Sequence, residues 1–222
     1  AIWSSLRYGL SSYALTEKEG SKIFSKIFRP LFNSMGIHKT FPTIVATLPV
    51  KFMGLGIPDP YIECGIERVK TFVCHMGSET LTSSFISYSL QLLQIEIGFT
   101  KNILELDFDT WGELATPSWI TSLWEFVSRY KITLKPPAQD LPDKIRENDT
   151  TIMETLFTLG YRKKELIRIN RVRNFLQVLY VSDIVEGNGK KIKDDIWQSI
   201  KPNNSVSNVK WRRERPSKLD FI

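Results

Sequence analysis

Apolar residues recur at helical spacing through most of this 222-residue chain, and glycines cut the pattern into lengths. Gly36, Gly77, Gly98 and Gly160 each follow the last apolar residue of such a stretch. That is where a helix closes in a left-handed turn, a conformation glycine takes with least strain. Elsewhere prolines do the cutting, in "FPTIVATLPVKFMGLGIPDP" (residues 41–60) and "KPPAQDLP" (residues 135–142). The period-two alternation that marks strands is scarce. The expected fold is mainly α: an irregular helical bundle in two lobes, with at most a small β-hairpin near the C-terminus.

The segments follow from this punctuation. Residues 3–15 read as the end of a helix, with Leu6, Tyr8, Leu10, Tyr13 and Leu15 available for burial. Thr16 and Glu19 have capping-box spacing and start the next helix. On it Ile23, Phe24, Ile27, Phe28, Leu31 and Met35 form an apolar stripe, and Pro30 predicts a kink near Arg29. A helical turn at 43–47 and a tight crossing at Gly54–Gly56 lead to a helix over 61–76 that buries Ile62, Ile66, Val69 and Val73. Ser78 is the expected cap of a helix that stops at Gly98. Residues 99–116 read as an acidic connector, and Thr116-Pro117 as an N-cap and first-turn pair. The helix after it carries Trp119, Ile120, Leu123, Trp124, Val127 and Tyr130. Then come a helix through "DTTIMETLFTL", a long one over 162–184, and an Asn-Gly turn in "EGNGKKI". The organisation expected is a lobe over 1–98, a connector over 99–116, a lobe over 117–200 and a basic tail over 201–222.

Charge is uneven along the chain. Residues 1–60 hold seven Lys or Arg against three Asp or Glu; residues 61–160 hold eight against fourteen; residues 161–222 hold fifteen against seven. Basic ends around an acidic middle suit a polyanion partner. They equally suit an acidic segment docked on basic ones within the fold. Lys18, Lys22, Lys26 and Arg29 fall within an arc of about 80° opposite the apolar stripe of their helix. Lys164, Arg168 and Arg171 share a second stripe, in "RKKELIRINRVRNFLQVLYVSDI", where Phe175 and Val178 take over the same line further on. Such a helix enters a core with its C-terminal half and keeps its first half wet. In the tail "KWRRERPSK", Trp211 beside Arg212 and Arg213 could stack on a base or lie along phosphates. Each stripe also has a plainer reading, a solvated face of a core helix, and the tail a solvated, disordered one.

Other chemistry is poorly served. His38, His75, Cys64 and Cys74 are the only histidines and cysteines, and none is spaced as a CxxC or HxxxH pair, so no metal site and no cofactor are expected. The cysteines read as small core residues in a reducing compartment. No Gly-x-Ser-x-Gly elbow or Gly-x-Gly-x-x-Gly loop is present. The Asp107/Asp109 and Asp194/Asp195 pairs read as solvated surface. No apolar run approaches the roughly 18 residues of a membrane span. The opening "AIWSSLRYGL" lacks an initiator Met and reads as an excerpt of something longer.

The stretch "LPVKFMGLGIPDPYIECGIERVKTFVCH" resembles the segment just after the palm in retrotransposon reverse transcriptases: a proline-bearing turn, Gly-Gly-Leu-Gly-Ile, then a helix. Met53 stands where the first glycine is common. "RENDTTIMETLFTLGYRKKELIRINRVRNFLQVLYVSDI" and "WRRERP" are similar to the far C-terminal region of such polyproteins. The resemblance implies a thumb-like lobe over 1–98 that grips template–primer duplex through its backbone, next to an upstream polymerase palm of the same polyprotein. The family's catalytic aspartates sit in a Tyr/Phe-x-Asp-Asp turn, which this chain lacks, so the chain alone is expected to be no enzyme. The partners implied are RNA, DNA or an RNA–DNA hybrid, in an intracellular setting, nuclear or cytoplasmic, and no membrane. The alternative is a helical protein–protein interaction module, docking through the aromatic helix Trp119–Tyr130, with no nucleic-acid role.

Overall fold

The computed structural model describes residue 9, residues 12–187 and residues 189–196. The expectation of a mainly helical chain holds. Among the described residues, the helices with defined bounds are α1 (Glu17–Ser34), α2 (Thr43–Thr47), α3 (Pro60–His75), α4 (Leu81–Ile97), α5 (Phe108–Trp111), α6 (Trp119–Arg129), α7 (Ile152–Thr158), α8 (Lys163–Leu176) and α9 (Val181–Ile184). Short 3-10 turns form at Val50–Phe52, Ile103–Glu105 and Gly112–Leu114. Among the described residues there is no strand, only isolated antiparallel bridges between Thr151 and Tyr180 and between Val185 and Ile192. The second bridge flanks the segment of the expected Asn-Gly turn, of which Asn188 lies outside the described residues. Two compact units divide the chain. The first holds the described residues up to 86 together with 117–126; the second holds 87–116 and those from 127 onward.

All four glycine stops take a left-handed backbone, with φ of 71°, 81°, 82° and 80°. Two of them close their helices with the same paired bonds. After α1 the Ile37 N–H donates to the Phe32 carbonyl at 2.8 Å and the Gly36 N–H to Asn33 at 3.2 Å. After α7 the Tyr161 N–H donates to Leu156 and the Gly160 N–H to Phe157. Each pair satisfies carbonyls that a helix end otherwise leaves orphaned.

In the first unit α1 runs on through Pro30. Phe24, Phe32 and Ala46 are buried, with Phe28, Ile37, Phe41, Leu55 and Ile57 packed around them. The Phe24–Phe32 and Phe32–Phe41 ring pairs meet edge to face, at 6.3 and 6.2 Å, a favoured aromatic geometry. The buried line is therefore phenylalanine at every fourth residue. Ile27, Leu31 and Met35, expected in it, are exposed. Helix α1 packs on α3, and the Gly54–Gly56 crossing is as tight as its glycines suggest. A Cβ on Gly54 would lie 2.0 Å from the Leu48 carbonyl oxygen.

Helix α3 turns a different face inward from the one its aliphatic residues suggest. Tyr61, Cys64, Gly65, Arg68 and Phe72 are buried, while Ile66 and Val73 are exposed. The reason lies at Gly65, where the Phe126 ring fills the space a side chain would take; a Cβ there would sit 2.0 Å from it. Tyr61 packs edge to face on the same ring at 5.8 Å. Large rings and a glycine notch outweigh β-branched residues, which lose less by facing water. Cys74, expected in the core, is exposed, whereas Cys64 is buried.

Two caps differ from expectation. The Ser83 N–H bonds to the Thr80 hydroxyl, so Thr80 starts α4, while Ser78 belongs to the closing turn of α3 and donates to His75. The Thr121 N–H bonds to the Ser118 hydroxyl, so Ser118 starts α6, and Thr116 donates to Glu96 instead. Helix α6 buries Ile120, Leu123, Trp124, Phe126 and Val127.

In the second unit, residues 99–116 are more than a connector. Phe99, Ile103, Leu104 and Trp111 are buried, and Asn102 and Asp107 cap the short helical turns between them. The long helix expected over 162–184 is instead two helices. Gln177 adopts a left-handed φ of 56° and ends α8. Val178, Leu179 and Tyr180 are buried as an extended segment. There the Ile152 N–H donates to Leu179 and the Val181 N–H to Thr150. The apolar run thus enters the core, as expected, but as extended chain paired with the start of α7.

Candidate nucleic-acid interface

The cationic stripe of α1 is built from its N-terminus. The Thr16 N–H and hydroxyl donate to the Glu19 carboxylate, and the Glu19 N–H donates to the Thr16 hydroxyl at 3.3 Å. This reciprocal cap fixes the first turn. The Thr16 bonds, backbone first, hold the Glu19 carboxyl below the ordinary carboxylate range, with Lys22 adding a smaller pull. With the start fixed and the phenylalanine face buried, Lys18, Lys22, Lys26 and Arg29 are all exposed. Among the described residues no carboxylate is paired with Lys18, Lys22 or Lys26, though Glu19 feels the Lys22 charge. Arg29 donates to the Thr43 hydroxyl at 3.3 Å.

Successive lysines on this face rise about 6 Å along the helix axis. Each is a point charge without the fork that reads a base edge, so the stripe suits phosphates and carries little sequence information.

The stripe of α8 belongs to the other unit. Lys164, Arg168 and Arg171 are exposed. The face across the helix from them buries Leu166, Asn170 and Arg173. Arg173 is only 3% exposed, and its guanidinium donates to the carbonyls of Ile95, Glu96 and Val178 at 2.7, 2.6 and 3.1 Å. It also meets the Asn170 and Asn174 side-chain oxygens. Asn170 and Asn174 add their own bonds to the Glu96 carbonyl. The last carbonyls of α4, which have no partner within the helix, thus receive a buried cation at their negative end. Gly98 leaves the room for it: a Cβ there would lie 2.9 Å from the guanidinium carbon.

Arg68 is a second buried arginine, fully enclosed, donating to the Leu15 carbonyl and the Cys64 sulfur. Neither Arg68 nor Arg173 is available to a partner. Periodicity missed both, because an arginine turned into the core reads in sequence as a surface cation.

Beside the α8 stripe lies a feature the sequence reading did not single out: Phe157 and Tyr161, about half exposed on either side of the Gly160 stop, with Trp111 behind them. Aromatic residues flanking a helix stop were the signal available. Trp211, Arg212 and Arg213 lie outside the described residues. Among the described residues no His, Cys, Asp or Glu group is placed to hold a metal ion, and no helix is long and apolar enough to cross a membrane. Set against known protein families, curated proteins and solved structures, the chain matches none.

Proposed function

We propose that the chain is the non-catalytic, nucleic-acid-gripping part of a retroelement reverse transcriptase, holding template–primer duplex by its phosphates beside an upstream palm. The observation that carries this reading is the α1 stripe: four cations on one face of a rigid helix, three of them lysines with no paired carboxylate among the described residues. The α8 stripe supports it as a second set of exposed cations on a helix anchored from behind. The sequence resemblance supplies the polymerase context. Phosphate contacts of this kind give affinity with little sequence preference, and a strong dependence on salt.

The test is a titration of the 222-residue chain against a labelled RNA–DNA hybrid at low and moderate salt. Binding at low salt that weakens steeply at the higher concentration, alike for unrelated sequences, is the expected result. No binding at low salt rejects the reading.

A second reading, a helical interaction module, is favoured by a different observation from the one expected. Trp124 is fully buried, so the aromatic helix α6 is core. Exposed apolar residues lie on α4 as well, Leu81 and Phe85 in the first unit and Tyr88 and Leu92 in the second, on a helix with no charged residue before Glu96. Loss of a protein partner on Phe85→Ser, with hybrid binding absent in the wild-type chain, would favour it.

A further inference from the structure

Between α5 and the start of α8, the second unit carries a cleft of about 90 Å³. Trp111, Leu114, Phe157, Tyr161, Lys163 and Ile167 line it. The Trp111 and Phe157 rings meet edge to face, centroids 5.0 Å apart at 67°, so they form a corner. Phe157 is 52% and Tyr161 44% exposed, which leaves the cleft open on their side. With that side open, a flat heterocycle can lie against these walls while its sugar and phosphate stay outside.

The charges around the cleft are sorted. On the α5 side, Asp107 accepts from the Thr110 hydroxyl and N–H. Lys163 stands at the lip, its Nζ 3.0 Å from the Asp109 carbonyl and 3.3 Å from the Glu113 carboxylate. On the α8 side, the Lys164, Arg168 and Arg171 stripe lies about 100° round the helix from Lys163, with Ile167 between them. A phosphate chain passing the cleft is repelled by the α5 side and attracted by the α8 side.

We propose that this cleft takes one unpaired nucleobase, stacked on Phe157 and Tyr161, from a strand whose phosphates lie along Lys164, Arg168 and Arg171. The inference rests on the phosphate-gripping reading and deepens it, from a grip on duplex to a grip on a duplex next to a single-stranded end. An aromatic corner could equally suit an organic cation. The exposed Lys164, Arg168 and Arg171 stripe beside the cleft opposes a second positive charge there and favours a neutral heterocycle attached to phosphate. Stacking on aromatic side chains is tolerant of base identity, so the cleft adds affinity for an unpaired base without fixing its sequence.

The experiment compares hybrids with a blunt end, with a short single-stranded overhang, and with the same overhang made abasic. The wild-type chain binds the base-bearing overhang about tenfold more tightly than the other two. Phe157→Ala removes that preference and leaves blunt-end binding unchanged, while Phe157→Trp retains it. Equal affinity for the abasic and base-bearing overhangs overturns the proposal while leaving the phosphate grip standing. Failure to bind any of the three overturns both. A preference erased by tetramethylammonium chloride, but not by sodium chloride at the same ionic strength, marks a cation cage and overturns the proposal.

Discussion

Helices α1 and α8 display their cations in the same way and are anchored by opposite chemistry. Beneath α1 lies a line of phenylalanines, Phe24, Phe28 and Phe32, packed on Phe41 and Ile57. Beneath α8 lies Arg173, held by backbone carbonyls of α4 and of the chain after Gln177. The first anchor is non-directional burial of apolar area, worth roughly 25 cal/mol per Å² removed from water. The second is directional: it satisfies orphan carbonyls that would otherwise be desolvated without partners, each at a cost of about 1–3 kcal/mol. A cationic face can thus be propped from behind by grease or by another cation, and only the first prop shows as a period in the sequence.

The largest effect expected is at the aromatic anchor. Phe32→Ala empties a fully buried site and should cost about 3–5 kcal/mol in urea unfolding. Arg173→Met tests the polar anchor, with an expected loss of about 3 kcal/mol as the α4 carbonyls lose their donors. If Arg173→Met is as stable as wild type, the network beneath α8 is ornamental and the contrast between the helices fails. A smaller effect of opposite sign comes from strain that both units carry. Met53 and Gln177 hold left-handed φ angles of 61° and 56° without being glycine. Met53→Gly and Gln177→Gly should each stabilise by about 1 kcal/mol, since a Cβ disfavours that region. The smallest effect concerns the α1 cap. Glu19 has a depressed pKa, so its cap interaction is complete above the ordinary carboxylate pKa and is lost as pH falls through the folded value. Carboxyl NMR should place the Glu19 midpoint below the ordinary glutamate value, and Thr16→Val should move it upward.

What the sequence made legible divides along the same contrast. The capping box at Thr16, the four glycine stops, the Gly54 crossing and the exposure of the α1 stripe were readable because each is a local signature. A hydroxyl lies three residues before a carboxylate, a glycine ends a period, or lysines recur every four residues. The inward face of α3 was not readable, because it is set by a ring from elsewhere in the chain seated on Gly65. The end of α8 was missed because Gln177 carries no stop signal; long-range pairing of Leu179 and Val181 with Ile152 and Thr150 holds it there. Arg68 and Arg173 entered the sequence only as part of its charge balance, yet both are buried. At the candidate interface the lysines were legible from spacing. The aromatic cleft was not, because Trp111 and Phe157 are 46 positions apart and meet only in the fold.

The salt dependence of binding to duplex DNA tests a phosphate grip most directly. For the wild-type chain, log affinity should fall linearly with log salt. In the Lys22→Glu, Lys26→Glu double variant that slope should be shallower by about 0.9 for each phosphate that the helix no longer neutralises, with affinity weakened alike for every sequence. A variant that folds normally and keeps the wild-type slope would contradict a phosphate-binding role for α1.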